Sequence, residues 1–158
     1  MEKDSVLISM QAIQKSFGGV QALKNGQLEL RKGEVLGLIG ENGAGKSTLM
    51  KILSGVYTAD AGEIYVEGKK VSYRQPNEAL HAGICMIYQE LNLIQKLSVA
   101  DNIFIGREAT KLGGLYLSES KQNRAAKSLF ELLNLDLDPK TKVRDVTVAK
   151  QQMIEIAK

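Results

Sequence analysis

One stretch, EVLGLIGENGAGKSTLMKIL at residues 34–53, constrains the fold more than any other. Its first part, EVLGLIG at 34–40, is a short and nearly continuous apolar run, the pattern of a strand buried on both faces of a parallel sheet. After a few glycine-rich residues the period changes, and Leu49, Ile52, Leu53 and Val56 fall on one face of a helix with Gly55 near its stop. Strand, tight loop and helix in that order open an α/β unit, and the loop itself, GENGAGKST at 40–48, fits G-x-x-x-x-G-K-[ST] in the context that motif requires.

The spacing has a chemical reason. Gly40, Gly43 and Gly45 allow backbone conformations closed to other residues, so that successive N–H groups turn inward around a polyphosphate. Lys46 then reaches the β- and γ-phosphates, the Ser47 hydroxyl is placed to ligate magnesium, and the helix N-terminus adds its partial positive charge. Gly40, Glu41, Asn42, Gly43, Ala44, Gly45, Lys46, Ser47 and Thr48 are therefore the candidate nucleotide-binding set. A phosphate loop alone leaves kinases, GTPases and transport ATPases open.

Around this unit the pattern is coarser. Val6, Ile8 and Met10 share one parity and Leu28 and Leu30 another, so the first third reads as strands, and GEIYVEGKKVSY alternates about Glu67-Gly68-Lys69 as a hairpin. GICMIY, 83–88, reads as a second buried strand, with Cys85 as a buried inert thiol. Residues 98–106, and 118–134 from a cap at Ser118, have helical period, the second with Ala126, Leu129, Phe130 and Leu133 as its stripe. The 21 basic and 18 acidic residues are spread without a basic tract, which argues against nucleic acid as a partner. No 18-residue apolar span exists, and the N-terminal MEKDSVLISM lacks the features of a signal peptide, so a cytoplasmic protein is expected.

Four stretches together decide between the open classes: KSFGGVQAL at 15–23, GENGAGKSTLMKILSGVY at 40–57, IYQELNLIQKLSVADNIFIGRE at 87–108 and QQMIEIAK at 151–158. With them the chain resembles the nucleotide-binding domain of ABC transporter ATPases, most of all the ATP-binding subunits of ribose- and galactoside-type carbohydrate importers. The resemblance implies a P-loop NTPase core of α/β class with an antiparallel β subdomain and a helical subdomain, the core over about 1–97 and the helical part over about 98–158. It implies ATP and Mg2+ as ligands, and Lys46 and Gln89 as catalytic residues. Gln89 would end its buried strand and reach magnesium and the attacking water. Phe17 would stack on adenine, with a core or edge phenylalanine as the alternative. Leu91, Leu93, Ile94 and Leu97 would meet a membrane subunit or serve as core. His81 does not match the family's switch histidine and reads as a surface residue of its helix.

The implied partners are transmembrane permease subunits, a second nucleotide-binding domain and, indirectly, a sugar-binding protein, with the chain peripheral on the inner face of the cell membrane. At the family's signature, Leu-Ser-x-Gly-Gln, this sequence has Val146, Thr147, Val148, Ala149 and Lys150. Helical spacing of Met153, Ile154 and Ala157 then runs to the last residue. The reading is a domain incomplete at its C-terminus, part of a longer subunit that hydrolyses ATP to drive sugar uptake, with the 158 residues binding ATP but not turning it over. A non-catalytic nucleotide-binding module is the alternative. A small-molecule kinase shares the phosphate loop but does not predict IYQEL or QQMIEIAK.

Overall fold

In the computed structural model, residues 5–107, 110–111 and 116–158 are described. Glu108, the last residue of the stretch 87–108, lies outside them. The chain divides into two compact units, one ending at Met86 and the other running Ile87–Lys158.

The first unit is built on an antiparallel sheet in the order β2-β1-β3-β4, from β1 (Val6–Phe17), β2 (Val20–Arg31), β3 (Ala61–Val66) and β4 (Lys69–Val71). Ile8 and Met10 point into the core as their parity predicts, opposite Leu30 and Leu28. The inward parity then passes to Ile13. Between Met10 and Ile13 β1 advances three residues while β2 advances two, from Leu28 to Gly26, and the extra residue is accommodated at Ala12 with φ 50°. Gly62 of β3 faces this bulge, and a Cβ there would stand 2.6 Å from the carbonyl oxygens of Gln11 and Ala12, which only glycine avoids. The β3–β4 hairpin turns at Glu67-Gly68 as expected, with positive φ at both residues.

Helix α1 (Lys46–Leu53) lays Leu49, Ile52 and Leu53 on this sheet against Ile8, Met10, Ile13, Leu23 and Ile64. The approach is close: a Cβ on Gly26 of β2 would meet Leu49 Cδ1 at 3.0 Å. Helix α2 (Pro76–His81) follows, with proline in its first turn, where a missing N–H costs nothing.

Two expected strands are absent. Residues 34–40 are irregular, with Val35 and Ile39 each 98% exposed, and 84–88 are irregular too, with Ile87 57% exposed and Cys85 exposed rather than buried. A strand needs a neighbour for its N–H and C=O groups, and neither run pairs with any strand among the described residues. Apolar content announced burial, but it could not supply the partner.

In the second unit α3 (Val99–Phe104), α4 (Glu119–Leu132) and α5 (Val148–Ala157) enclose a core of Leu93, Val99, Ile103, Ala126, Phe130, Val143, Val146 and Ile154. A short ribbon, β5 (Thr110–Lys111) with β6 (Tyr116–Leu117), lies between α3 and α4 in sequence, and a 3-10 turn, Val143–Asp145, precedes α5. Ser98 caps α3, its Oγ accepting from the Asp101 N–H at 3.1 Å. Buried Asn102 ties the preceding loop to α3, accepting from Ile94 N–H at 2.6 Å and donating to the carbonyls of Ile94 and Ser98. Ser118 stands at the N-cap of α4 as expected, but its hydroxyl makes no capping bond. Of the four residues left open between core and interface, Leu93 is core, Ile94 is 46% exposed, and Leu91 and Leu97 are half-buried.

Candidate functional site

The glycine-rich loop takes its shape from β2 and the start of α1. Gly45, at the N-cap of α1, has φ 84°, and a Cβ there would fall 2.5 Å from Leu23 Cδ2 and 3.0 Å from the Ala22 carbonyl oxygen. Gly43, φ 86°, turns the chain one step earlier, and Ala44 N–H donates to the Glu41 carbonyl at 3.2 Å. The first helical bond runs from Leu49 N–H to the Gly45 carbonyl at 2.9 Å, so the N–H groups of Lys46, Ser47 and Thr48 lie outside the helical ladder. No acidic residue in the first turn opposes the positive end of the helix.

Lys46 curls over the same loop. Its Nζ donates to the carbonyl oxygens of Gly40 at 2.5 Å and Glu41 at 2.8 Å. An ammonium, a helix N-terminus and an exposed Ser47 hydroxyl thus share one turn of chain, a donor set suited to an oxyanion rather than a cation. The loop borders a concavity of about 420 Å³, walled by residues 21–27 of β2, by Leu38 and Ile39, and by Gly43 to Lys46 with Leu49. Among the described residues no three His, Cys, Asp or Glu side chains cluster as a metal site would need.

Phe17 ends β1 and is 41% exposed, not a core residue. Tyr57 meets its ring edge-on, with centroids 5.0 Å apart and planes at 65°, and Lys15 Nζ stands 5.5 Å from the Phe17 centroid. Asp60 accepts from Lys15 Nζ at 2.6 Å and from the Ser16 N–H at 2.7 Å, and these bonds, that from Lys15 first, hold its carboxyl below the usual carboxylate range. Sequence reasoning passed over Asp60 and Tyr57, whose only signal was an aromatic residue and a carboxylate shortly after the helix that the loop begins.

Gln89 belongs to the second unit. It is exposed and follows an irregular segment, so the expectation that it ends a buried strand is corrected: the 84–88 run has no ladder to end. His81, last in α2, is exposed as expected. In the signature-like stretch Thr147 is the N-cap of α5 without a side-chain capping bond. Lys150 donates to the Asp136 carbonyl at 2.7 Å, and buried Gln151 donates to the carbonyls of Val143 and Val146 at 3.1 and 2.9 Å.

Glycine-rich loop, curled lysine and helix N-terminus packed on a sheet make this an α/β protein of the P-loop NTPase class. Within that class the chain belongs to the ABC transporter family, whose sequence model matches residues 23–158. It is 57% identical over 152 residues to ribose/galactose/methyl galactoside import ATP-binding protein 2 of Burkholderia cenocepacia (strain HI2424), covering 96% of this chain and 30% of that protein. It is 49% identical over 156 residues to xylose import ATP-binding protein XylG of Geobacillus kaustophilus (strain HTA426), covering 98% and 31%. The chain therefore spans about 30% of the length of these relatives. Among solved structures it is similar to a nucleotide-free ATP-binding cassette from an ABC transporter, with TM-score 0.80 and 28% identity over 96% of this chain and 63% of that one. A cassette in its ADP conformation gives 0.78 and 28% over the same shares.

Proposed function

We propose that this chain is the ATP-binding part of a subunit that powers carbohydrate import, with Mg-ATP held at residues 40–48. One observation carries the reading: the Lys46 ammonium lies over the loop, on the Gly40 and Glu41 carbonyls, beside three N–H groups that the helix leaves free. Lys46 would move from those carbonyls to the terminal phosphates, the N–H groups of Lys46, Ser47 and Thr48 would bond phosphate oxygens, and Ser47 would offer its hydroxyl to magnesium. Phe17 would carry the adenine. Gln89, exposed in the second unit, is proposed for magnesium and the attacking water.

The names of the relatives support the rest. Ribose, galactose and xylose in those names are monosaccharides and methyl galactoside is a simple glycoside of one, so the proposed cargo is a pentose, a hexose or a small glycoside of one. No helix among the described residues is long and apolar enough to cross a membrane. On the importer reading, separate permease subunits would carry the transport path, with this chain on their cytoplasmic side. A second nucleotide-binding domain would complete the catalytic unit, and a sugar-binding protein would deliver the cargo.

For the 158 residues alone the proposal is binding without turnover. In-line attack needs nucleotide and magnesium held, water oriented and developing charge stabilised, and the loop residues serve only the holding steps. The test is calorimetry of Mg-ATP, with Lys46→Ala and adenosine as controls. Mg-ATP should bind in a Lys46-dependent way while adenosine binding stays unchanged. Equal Mg-ATP affinity in the two folded proteins would remove the reading.

A further inference from the structure

We propose that Asp60 is a positioning residue that fixes the Phe17 ring for stacking against a purine base. This rests on the nucleotide reading of residues 40–48. The observation is a grip on three successive residues of one strand end. Asp60 N–H donates to the Gln14 carbonyl at 2.9 Å, Asp60 Oδ1 accepts from Lys15 Nζ at 2.6 Å, and Oδ2 accepts from the Ser16 N–H at 2.7 Å. Phe17 is the next residue.

The strand end needs such a grip. The β1–β2 ladder is irregular between Ile13 and Lys15 and again between Lys15 and Ser16, and the β1–β3 ladder stops at the pair Gln14 and Ala61. Immediately after Phe17 come Gly18 and Gly19, with φ 52° and 85° and nothing within 4 Å of the Cβ position of either. Beyond these irregularities only β2 pairs with the strand end, Ser16 opposite Gln21 and Phe17 opposite Val20, and β3 gives it no ladder, so one side of the strand end is left to Asp60. Asp60 holds that side through the backbone of Ser16 and through Lys15, whose ammonium it keeps 5.5 Å from the ring centroid. With Tyr57 edge-on at 5.0 Å, part of the ring stays uncovered, 41% of the residue being exposed, and a flat heteroaromatic group can lie there.

A purely structural role makes a different forecast. The Lys15–Asp60 pair is exposed on the Asp60 side, 46%, and exposed pairs contribute little to folding. Its loss should therefore appear in base stacking and not in phosphate binding. The experiment measures, by calorimetry on the 158-residue chain, the dissociation constants of Mg-ATP and of Mg-tripolyphosphate for the unaltered protein, Asp60→Ala, Asp60→Asn, Phe17→Ala and the Asp60→Ala/Phe17→Ala double variant. Melting temperatures serve as the fold check.

The expected result is a Mg-ATP affinity about 5- to 10-fold weaker in Asp60→Ala, with tripolyphosphate affinity unchanged and the double variant no weaker than Phe17→Ala. Asp60→Asn keeps an acceptor for Ser16, loses the charge that holds Lys15 and should fall between; it carries the comparison if the alanine variant does not fold. The proposal is overturned if both ligands weaken together, if neither weakens, or if the two substitutions add. Should the unaltered chain bind tripolyphosphate as tightly as ATP, the base platform is refuted while the phosphate site stands. Failure to bind either ligand would remove the nucleotide reading and this proposal with it.

Discussion

Gly45→Ala tests the link between sheet and loop without any ligand. Gly45 has φ 84°, and a non-glycine residue held in that region costs about 1–3 kcal/mol. The new methyl would stand 2.5 Å from Leu23 Cδ2 and 3.0 Å from the Ala22 carbonyl oxygen, well inside contact. Leu23 is only 8% exposed and belongs to the buried cluster with Ile13 and Leu49, so its displacement is an overpacking strain of about 1–3 kcal/mol. The sum, about 2–6 kcal/mol, is a large part of an ordinary domain's stability of about 5–15 kcal/mol. Urea unfolding followed by circular dichroism should show a lower midpoint at unchanged slope. Gly43→Ala is the internal comparison, since Gly43 has φ 86° but nothing within 4 Å of its Cβ position. It should lose only the conformational part. If Gly45→Ala is no more destabilising than Gly43→Ala, the close packing of β2 on the loop is refuted.

Phe130, 2% exposed in the core of the Ile87–Lys158 unit, should cost about 3–5 kcal/mol when changed to Ala, whereas Phe17→Ala should move the melting temperature little; equal losses at the two sites would contradict their burial. Asp60, Glu63 and Glu67 have carboxyls held below their ordinary range, chiefly by hydrogen bonds from Lys15, Lys70 and Lys32 respectively. Depressed native values mean that the unfolded chain binds more protons, so this stability is complete above the unfolded carboxylate range, about pH 4, and is lost as pH falls through the native values. The urea midpoint should fall on acidification, less steeply in high salt, and a midpoint that rises would refute the assignment. Phosphate release by freshly purified chain should match buffer, and a Lys46-dependent rate of even about one per minute would overturn binding without turnover.

What the sequence disclosed was what neighbouring residues decide among themselves. The glycines at 40, 43 and 45, the period of α1 and α4 and the Glu67-Gly68 turn were readable because each depends on a few consecutive residues. Other features depend on distant parts of the chain. The bulge at Ala12 exists only in relation to Gly26 and Gly62, and Asp60 meets Lys15 and Ser16 across more than forty residues. The runs at 34–40 and 84–88 have the composition of inner strands, but a strand is a pairing and composition names no partner, so Val35, Ile39 and Cys85 lie open where burial was expected. Gln89, assigned to the end of such a strand, lost its predicted setting for the same reason.

The resting bonds of Lys46 set the size of its contribution. Were the ammonium free in water, a phosphate would gain one strong charge-assisted contact; here the Nζ already donates to two carbonyls, at 2.5 and 2.8 Å, and must leave them. On the proposed reading, binding would exchange two neutral acceptors for anionic oxygens, and the net gain would be the difference between a charge-assisted bond to a neutral oxygen and one to an ion. That difference keeps the expected loss in Lys46→Ala at about 2–3 kcal/mol, roughly 30- to 150-fold in affinity, well below the gross strength of the contact. The same bonds tie Gly40 and Glu41 to the start of α1 through the side chain proposed to turn to the phosphate. Lys46→Arg would keep the charge but spread it over a longer, planar guanidinium in place of a compact ammonium, so it should recover less affinity than charge alone suggests. Full recovery by arginine, measured by the same calorimetry, would show that charge rather than the compact shape of the ammonium governs the loop.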